Sequence, residues 1–204
     1  MAGFLQLIAM EQVKRLLIIA GPNGSGKSSL VTSTLLDLVE DKIINPDNYA
    51  RGITDVADEA DRYRIAMDMC KVLREDLLQR GVSFGFETVA SREDKLEFVE
   101  RAKSLGYEIR FLFVTTGDPE ICCRRIDQRV AAGGHDVPRD KVYSRFERTM
   151  GFLPAYIKLA DMAKVYDNSG NGLVSVLTKK DGRISLSDDA LKYDWVRKYL
   201  SEFL

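Results

Sequence analysis

The hydrophobic and polar positions of the chain divide it into short apolar runs and longer stretches of helical period. Seven short segments, most of them rich in apolar residues, are predicted as strands, at residues 16–20, 41–44, 82–88, 107–114, 163–166, 173–178 and 183–186. Helical spacing follows most of them, at residues 28–39, 55–79, 91–105, 119–132 and 139–163, with a last helix after residue 189. Because strands alternate with helices, we predict an α/β fold, a three-layer α/β/α sandwich around a mainly parallel sheet.

Residues that begin, end or bend regular structure set the expected boundaries. They are a turn at 45–48, helix ends at Gly81 and Gly106, a helix start at Asp118-Pro119-Glu120, a bend or break at Pro154, and N-caps at 91–94 and 187–189. On the helix over 55–79, the predicted apolar stripe is Val56, Ala60, Tyr63, Met67, Cys70, Leu73 and Leu77.

The length of 204 residues suits a single domain over residues 1–204, with a lid-like segment at about 124–148. A net charge of −1 gives no bulk electrostatic reason to expect a nucleic-acid or membrane partner, although local basic clusters are compatible with it. Three cysteines, of which Cys122 and Cys123 are adjacent, form no disulfide framework, so we expect packing roles and a cytoplasmic location. The apolar residues 1–10 lack a basic start and are interpreted as a packing extension, and no run is long enough to span a bilayer.

A glycine-rich loop joins the first predicted strand to the first predicted helix. Gly21, Gly26, Lys27 and Ser28 fit the pattern G-x-x-x-x-G-K-[ST] of a phosphate-binding P-loop, and a chance glycine-rich turn lacks this strand–loop–helix context. The lysine is expected to reach the β- and γ-phosphates and the serine hydroxyl to ligate Mg²⁺. The predicted nucleotide-binding residues are Gly21, Pro22, Asn23, Gly24, Ser25, Gly26, Lys27, Ser28 and Ser29. ATP or GTP and Mg²⁺ are therefore the expected ligands.

Acidic residues follow the second and third predicted strands, at the edge where ligands bind in such folds. Asp47 is a candidate base that accepts the proton of an attacking hydroxyl, with an Asx turn as the alternative. Glu87 is a candidate for binding substrate hydroxyls or Mg²⁺-bound water, with helix capping as the alternative, and the adjoining Thr88 is grouped with it as substrate-binding.

Two arginines precede a flexible loop. Arg125 and Arg129 are four residues apart and share a helix face, so they are candidates for neutralising transferred phosphate, against the alternative of solvated side chains. Arg124 points elsewhere. His135, the single histidine, is expected to anchor the lid or contact substrate. The weaker candidates are Arg139, Arg145 and Arg148.

Two further patterns limit the class of protein. Residues 167–169 (Asp-Asn-Ser) follow a strand. They either contact the base or ribose of the nucleotide or form a simple turn. Asp118, the acid nearest to an apolar strand end, is interpreted as an N-cap and not as a Walker B residue, which favours a small kinase over a motor ATPase. No cysteine or histidine spacing indicates zinc.

With these residues identified, the chain resembles the zeta toxin family of P-loop kinases, particularly its short chromosomal members. The matching segments lie in order within residues 14–170: 21–28, 44–47, 86–88, 106–107, Arg125 and Arg129 ahead of 133–138, and 166–169. The resemblance implies that Asp47 is the catalytic base, Lys27 the P-loop lysine, and Arg125 and Arg129 the phosphate-handling arginines. Zeta toxins phosphorylate the 3′-hydroxyl of UDP-N-acetylglucosamine with ATP or GTP and Mg²⁺, and some pair with a protein antitoxin.

The leading hypothesis is an ATP-dependent kinase whose acceptor is a hydroxyl of a small molecule, with a UDP-activated amino sugar as the first candidate. The chain is shorter than the best-known toxins, so the chemistry is expected to carry over better than the acceptor. One alternative is a polynucleotide 5′-hydroxyl kinase. The chain lacks an obvious basic, aromatic-rich segment that would bind a nucleic-acid strand, which argues against this alternative. The other is a nucleotide-gated interaction module, held by an antitoxin and without turnover.

Overall fold

The computed structural model describes residues 13–30 and 43–204. Within them, the strands are β1 (Arg15–Ala20), β2 (Ile43–Ile44), β3 (Phe84–Thr88), β4 (Glu108–Thr115), β5 (Met162–Asp167), β6 (Val174–Lys180) and β7 (Arg183–Leu186). The helices are α1 (Lys27–Leu30), α2 (Pro46–Gly52), α3 (Glu59–Gln79), α4 (Glu93–Ser104), α5 (Pro119–Ala131), α6 (Arg139–Leu159) and α7 (Asp194–Tyr199). Two 3₁₀ turns, Ala190–Lys192 and Ser201–Phe203, flank α7.

The strands form one sheet in the order β2-β3-β1-β4-β5-β6-β7. The first five are parallel, whereas β6 runs antiparallel to β5 and β7 antiparallel to β6. The prediction of an α/β fold with a mainly parallel sheet is therefore confirmed.

Side-chain alternation along β1 buries both faces of the sheet. Leu16 and Ile18 belong to the larger apolar cluster, which the long helices cover. Leu17 and Ile19 point to the opposite face and pack with Leu30 of α1. Burial on both faces explains why β1 is a continuous apolar run and not an alternating one.

The register brings the carboxyl ends of the central strands to one edge of the sheet. Ala20 at the end of β1 lies beside Thr88 of β3, and Thr115 at the end of β4 lies beside Asp167 of β5. The P-loop and the segments that follow β2, β3 and β5 therefore begin at the same edge, where parallel sheets bind ligands.

Several predicted boundaries hold. Gly81 and Gly106 follow α3 and α4 with φ of 67° and 83°, the left-handed conformation that ends a helix at glycine. Asp118 caps α5 by accepting a hydrogen bond of 2.8 Å from the N–H of Glu120, with Pro119 as the first helical residue.

Three other predicted boundaries are wrong, and at a fourth one of the two predicted outcomes is excluded. The segment at 45–48 is the start of α2 and not a turn, because Asn45 caps a helix that begins at Pro46. The N-cap position of α4 is Arg92, which makes no side-chain capping bond, so the predicted cap at 91–94 fails. Residues 187–189 precede a 3₁₀ turn without a side-chain cap. The helix α6 continues through Pro154, so there is no break.

Some predictions fall on residues outside the described parts of the chain. They are the packing extension at 1–10, the P-loop helix beyond Leu30, and the beginning of the second strand at 41–42. Among the described residues, no helix is both long and apolar enough to cross a membrane. Cys70, Cys122 and Cys123 are buried free thiols, as their predicted packing role requires.

Candidate functional site

The P-loop between β1 and α1 is a backbone cradle with no room for a Cβ atom at two of its glycines. Gly24 and Gly26 have φ of 76° and 99°, which residues with a Cβ rarely adopt. A Cβ on Gly24 would lie 2.5 Å from the carbonyl oxygen of Cys122, and one on Gly26 would lie 2.4 Å from Nδ2 of Asn168. Glycine at both positions therefore lets the loop close under the neighbouring backbone with its N–H groups accessible to an anion.

Lys27 points back into this cradle. Its buried Nζ donates hydrogen bonds of 2.8 Å to the carbonyl oxygens of Gly21 and Pro22. Burial lowers the pKa of this ammonium group, and the nearby Glu87 and Asp47 carboxylates act in the opposite direction. A cation held against loop carbonyls in a glycine cradle fits a triphosphate, which would replace weak acceptors with charged ones.

Ser28, Asn45 and Glu87 form a connected group beside the P-loop. Ser28 Oγ donates to Glu87 Oε1 over 2.9 Å, and Asn45 Nδ2 donates to Glu87 Oε2 over 2.6 Å. A hydroxyl and a carboxylate oxygen are suitable ligands for Mg²⁺, which takes one or two protein ligands and completes its shell with water and phosphates. No cluster of three or more metal-ligating side chains occurs in the described residues, in keeping with such a sparse site.

Asp47 lies in the first turn of α2, across from the P-loop. Its N–H donates to Asn45 Oδ1 over 2.9 Å, so the capping role belongs to Asn45 and the Asp47 carboxylate is exposed. The cap fixes the backbone of the first turn and so holds Asp47 at the wall of the cavity that it lines.

Two cavities meet at Asp47 and Tyr63. The first, of about 290 Å³, is lined on one side by Asn23 and Lys27 of the P-loop region and extends past Glu87. Thr88 also lines the first cavity, where its Oγ1 accepts a hydrogen bond of 3.1 Å from the N–H of Ala90. The second, of about 610 Å³, lies between the start of α3 and the loop after α5. An attacking group in the first cavity would therefore face both the P-loop lysine and a carboxylate.

Arg125 and Asn168 support the other side of the P-loop. Asn168 Nδ2 donates to the carbonyl oxygen of Ser25 over 2.8 Å, and Arg125 donates from one terminal nitrogen to the carbonyl oxygen of Asn168 over 2.8 Å. The second terminal nitrogen of Arg125 is buried without a hydrogen-bond partner among the described residues. An unpaired buried donor next to a phosphate loop is a second feature that fits a bound nucleotide.

Arg129 and His135 hold the loop that follows α5. Arg129 donates to the carbonyl oxygen of His135 over 2.5 Å, and a Cβ on Gly134 would lie 2.6 Å from Arg129 Cγ. The His135 ring stacks on Tyr63 at 5.5 Å, and its Nδ1 lies 3.5 Å from Glu59 Oε1. The predicted lid thus contacts α3 and lines the second cavity.

The segment after β5 is held from below by the C-terminal helix. Asp167 is only 2% exposed and accepts hydrogen bonds of 2.8 Å from Trp195 Nε1 and from the N–H of Ser169. Ser169 Oγ accepts 2.7 Å from the N–H of Gly117. These side chains therefore form the turn that presents Asn168 to the P-loop.

The predicted site residues do not all line the same cavity. The first cavity brings together Asn23, Lys27, Asp47, Glu87 and Thr88, whereas Arg129 and His135 line the second. Ser29 is exposed beyond the loop. Of the weaker arginine candidates, Arg139 pairs with Glu120 and Asp127, and Arg148 donates to the carbonyl oxygen of Ser91.

Sequence reasoning missed Arg74 and the paired role of Asn45. The buried stripe of α3 is Ala66, Cys70, Arg74 and Leu78, so the predicted stripe is wrong at Ala60 and Met67, which are exposed. A charged residue four positions after Cys70 is a signal that could have been found, because it interrupts an apolar face. The Asn-Pro pair at 45–46 is likewise a recognisable helix start.

Comparison with known proteins agrees with this geometry. A family model described as an AAA domain, AAA_33, matches residues 16–150. The chain belongs to the AAA_33 family. The match to this AAA domain runs from β1 into α6 and includes the P-loop, Asp47, Glu87, Arg125 and Arg129. No curated protein matches the chain by sequence.

Solved structures share the fold of this AAA domain at low sequence identity. A chain from the crystal structure of AvrRxo1-ORF1:-ORF2 with ATP is 17% identical, with a TM-score of 0.72 over 91% of this chain and 64% of that chain. A chain from the PezAT chromosomal toxin-antitoxin system of Streptococcus pneumoniae is 14% identical, with a TM-score of 0.61 over 99% of this chain and 93% of that chain. A chain of the Pnkp1/Rnl/Hen1 RNA repair complex is 17% identical, with a TM-score of 0.55 over 72% and 47%.

These likenesses establish a P-loop kinase-like fold, and the resemblance to the zeta toxin family is confirmed at that level. The chain spans 64% of the length of the AvrRxo1 chain that it matches.

Proposed function

We propose that this protein is a Mg²⁺-dependent kinase that transfers the γ-phosphoryl group of ATP or GTP to a hydroxyl of a small molecule. The observation that carries the proposal is the first cavity, because it lies between the P-loop lysine Lys27 and the exposed carboxylate of Asp47. An acceptor in this space would have a base on one side and the donor phosphates on the other.

Each side chain has a defined task in the proposed reaction. Asp47 accepts the hydroxyl proton while the acceptor oxygen forms a bond to the γ-phosphorus and the bond to the β–γ bridging oxygen breaks, releasing the nucleoside diphosphate. Lys27 leaves the carbonyl oxygens of Gly21 and Pro22 and binds the phosphates. Arg125 offers its unpaired nitrogen on the P-loop side, and Arg129 approaches from the last turn of α5.

Ser28 and Glu87 would hold Mg²⁺, directly or through bound water. The ion would neutralise charge on the phosphates and fix their geometry when bound.

The first acceptor to test is UDP-N-acetylglucosamine, which the zeta toxin resemblance suggests. The assay follows γ-³²P transfer from Mg-ATP to this sugar nucleotide and to a small-molecule cell extract. Asp47→Asn should lower turnover by about 10²- to 10⁴-fold with unchanged ATP affinity, whereas Asp188→Asn, an exposed matched control, should behave as wild type. Normal turnover by Asp47→Asn would remove this residue from the mechanism.

The same assay separates the competing functions. Labelling of a 5′-hydroxyl oligonucleotide instead of small molecules would favour a polynucleotide kinase. ATP binding without a labelled product would favour a nucleotide-gated module, and co-purification with a small protein would then identify an antitoxin-like partner. Absence of any labelled product overturns the kinase proposal.

A further inference from the structure

The short segment that follows β3 forms part of the wall of the first cavity. Thr88, Val89, Ala90 and Ser91 all line this cavity, and we call these four residues the wall segment. Ala90 has a φ of 56°, in the left-handed region that a residue with a Cβ adopts only at a cost in energy. Such conformations persist where surrounding contacts hold them, and they occur most often at functional sites. The contacts around Ala90 therefore indicate what holds this wall in place.

The wall segment is held by its own contacts and by helix α6. The methyl group of Ala90 is buried in the larger apolar cluster, and the N–H of Ala90 donates a hydrogen bond of 3.1 Å to Thr88 Oγ1. From α6, Thr149 Oγ1 donates a hydrogen bond of 2.9 Å to the carbonyl oxygen of Val89. The peptide group that directly precedes the strained alanine is therefore bound to α6.

Thr149 is well placed to hold this backbone. Its side chain is fully buried within α6, where a threonine hydroxyl commonly bonds a carbonyl oxygen of its own helix, yet here the proton goes to another segment. Arg148 donates from Nε to the carbonyl oxygen of Ser91 over 3.3 Å, and Met150 Sδ accepts a hydrogen bond of 3.2 Å from Thr115 at the end of β4. Three consecutive residues of α6 are thus bound at the edge where the parallel strands end.

We propose that Thr149 is a positioning residue for the phosphoryl acceptor, because it holds the carbonyl oxygen of Val89 and with it the strained wall segment that the acceptor contacts. This inference rests on the proposed kinase function and adds a residue outside the P-loop to it. The hydrogen bonds of Lys27 and Asn168 at the P-loop involve no residue of the wall segment. Loss of the Thr149 hydroxyl should therefore disturb the acceptor and leave nucleotide binding unchanged.

Three variants separate positioning from general stability. Thr149→Val removes the hydroxyl and keeps the shape of the side chain, whereas Thr149→Ser keeps the hydroxyl. Tyr107→Phe is the matched control, since it removes another buried hydroxyl that donates to a carbonyl oxygen, that of Val82 over 3.0 Å, ahead of β3 and β4 at the opposite edge of the sheet. A general loss of stability affects both Thr149→Val and Tyr107→Phe, whereas positioning affects only the first.

Amide hydrogen exchange of the ligand-free protein tests the contact without any need for activity. Mass spectrometry follows the peptides that span residues 88–91. Thr149→Val should speed exchange of the wall segment by about fivefold or more, because a buried carbonyl oxygen loses its partner. Thr149→Ser and Tyr107→Phe should keep the wild-type rate there. A wild-type rate in Thr149→Val, or an equal acceleration in Tyr107→Phe, overturns the inference.

The transfer assay measures the effect on the acceptor, with UDP-N-acetylglucosamine or, where this takes no label, the fraction of the cell extract that does. Thr149→Val should lower kcat/KM for the acceptor by about 10- to 100-fold, as expected for a misplacement on the order of 1 Å, and leave the KM for ATP unchanged. Thr149→Ser should restore most of the activity. A wild-type kcat/KM in Thr149→Val overturns the positioning role but keeps the kinase. Absence of label with every acceptor overturns the kinase and with it the acceptor role of Thr149, and hydrogen exchange still decides whether Thr149 holds the wall segment.

Ala90→Gly provides a second test that does not depend on the folding of Thr149→Val. Glycine adopts a φ of 56° without strain but lacks the buried methyl group, so the wall segment gains freedom while every side-chain donor stays in place. Exchange at residues 88–91 should be faster, and kcat/KM for the acceptor should be lower with the KM for ATP unchanged. Wild-type values in both measurements overturn the inference.

Discussion

Replacing Arg74 by Met should stabilise the ligand-free protein. Arg74 is a single buried charge, 8% exposed, whose guanidinium carbon lies 5.3 Å from the ring centre of Phe86. Replacing a buried ion pair by apolar residues of similar volume is neutral or stabilises proteins by up to about 4 kcal/mol, and the same range is taken for this one charge. Loss of the cation–π contact with Phe86 opposes this by about 0.5–2 kcal/mol, and a methionine sulfur on the same ring restores about 0.3–1.5 kcal/mol. At the middle of each range the balance is about 2 kcal/mol in favour of the variant, which corresponds to a rise of about 4–8 °C in thermal midpoint for a domain of this size.

Differential scanning calorimetry of the ligand-free protein measures this effect. Arg183→Met should change the stability by less than about 0.5 kcal/mol, because it alters an exposed side chain. A gain in stability on loss of the charge is the pattern of a residue that serves function and not the fold. If Arg74→Met instead lowers the midpoint by several degrees, the arginine is a structural element of the α3–β3 contact and the reasoning from its buried charge is refuted.

Two further substitutions test the support of the P-loop. Gly26→Ala should weaken ATP binding more than about tenfold in a fluorescent-nucleotide titration, because it combines a strained φ of 99° with a Cβ 2.4 Å from Asn168 Nδ2; an affinity within twofold of wild type would contradict the cradle. Trp195→Phe should lower the free energy of unfolding in urea by about 1–3 kcal/mol, because it removes a 2.8 Å hydrogen bond to the buried Asp167 carboxylate; a loss well below this range would mean that the bond adds little.

The sequence was sufficient for the features that depend on local patterns. The alternation of strands and helices, the mainly parallel sheet and the P-loop follow from apolar period and glycine spacing, which neighbouring residues determine. The caps that combined several signals, such as Asp118 followed by Pro119, were also predicted correctly. The placement of Asp47 and Glu87 at one edge followed from the rule for carboxyl ends of parallel strands.

The errors arise where tertiary contacts decide between local alternatives. Asn45-Pro46 is compatible with a turn or with a helix start. In the structure it starts a helix, and in that conformation the Asn45 side chain donates a hydrogen bond to Glu87. Ser91 is a good capping residue by type, yet it is buried and Arg148 of α6 binds its carbonyl oxygen. Neither partner is near in sequence, so the local pattern, which at Asn45-Pro46 also fits a helix start, did not choose between the alternatives by itself.

The net charge of the chain and the charges that line its first cavity act over different distances. The net charge of −1 over the whole sequence concerns interactions with distant partners. Ions in solution screen such interactions beyond about 10 Å. Asp47 and Arg74 both line the first cavity, of about 290 Å³, where charges act at shorter range and are screened less than on the open surface. The net charge of the chain is close to zero, yet the wall of this cavity carries five cationic side chains and two carboxylates. The net charge of the whole chain therefore does not limit the charge of a ligand that this cavity could bind.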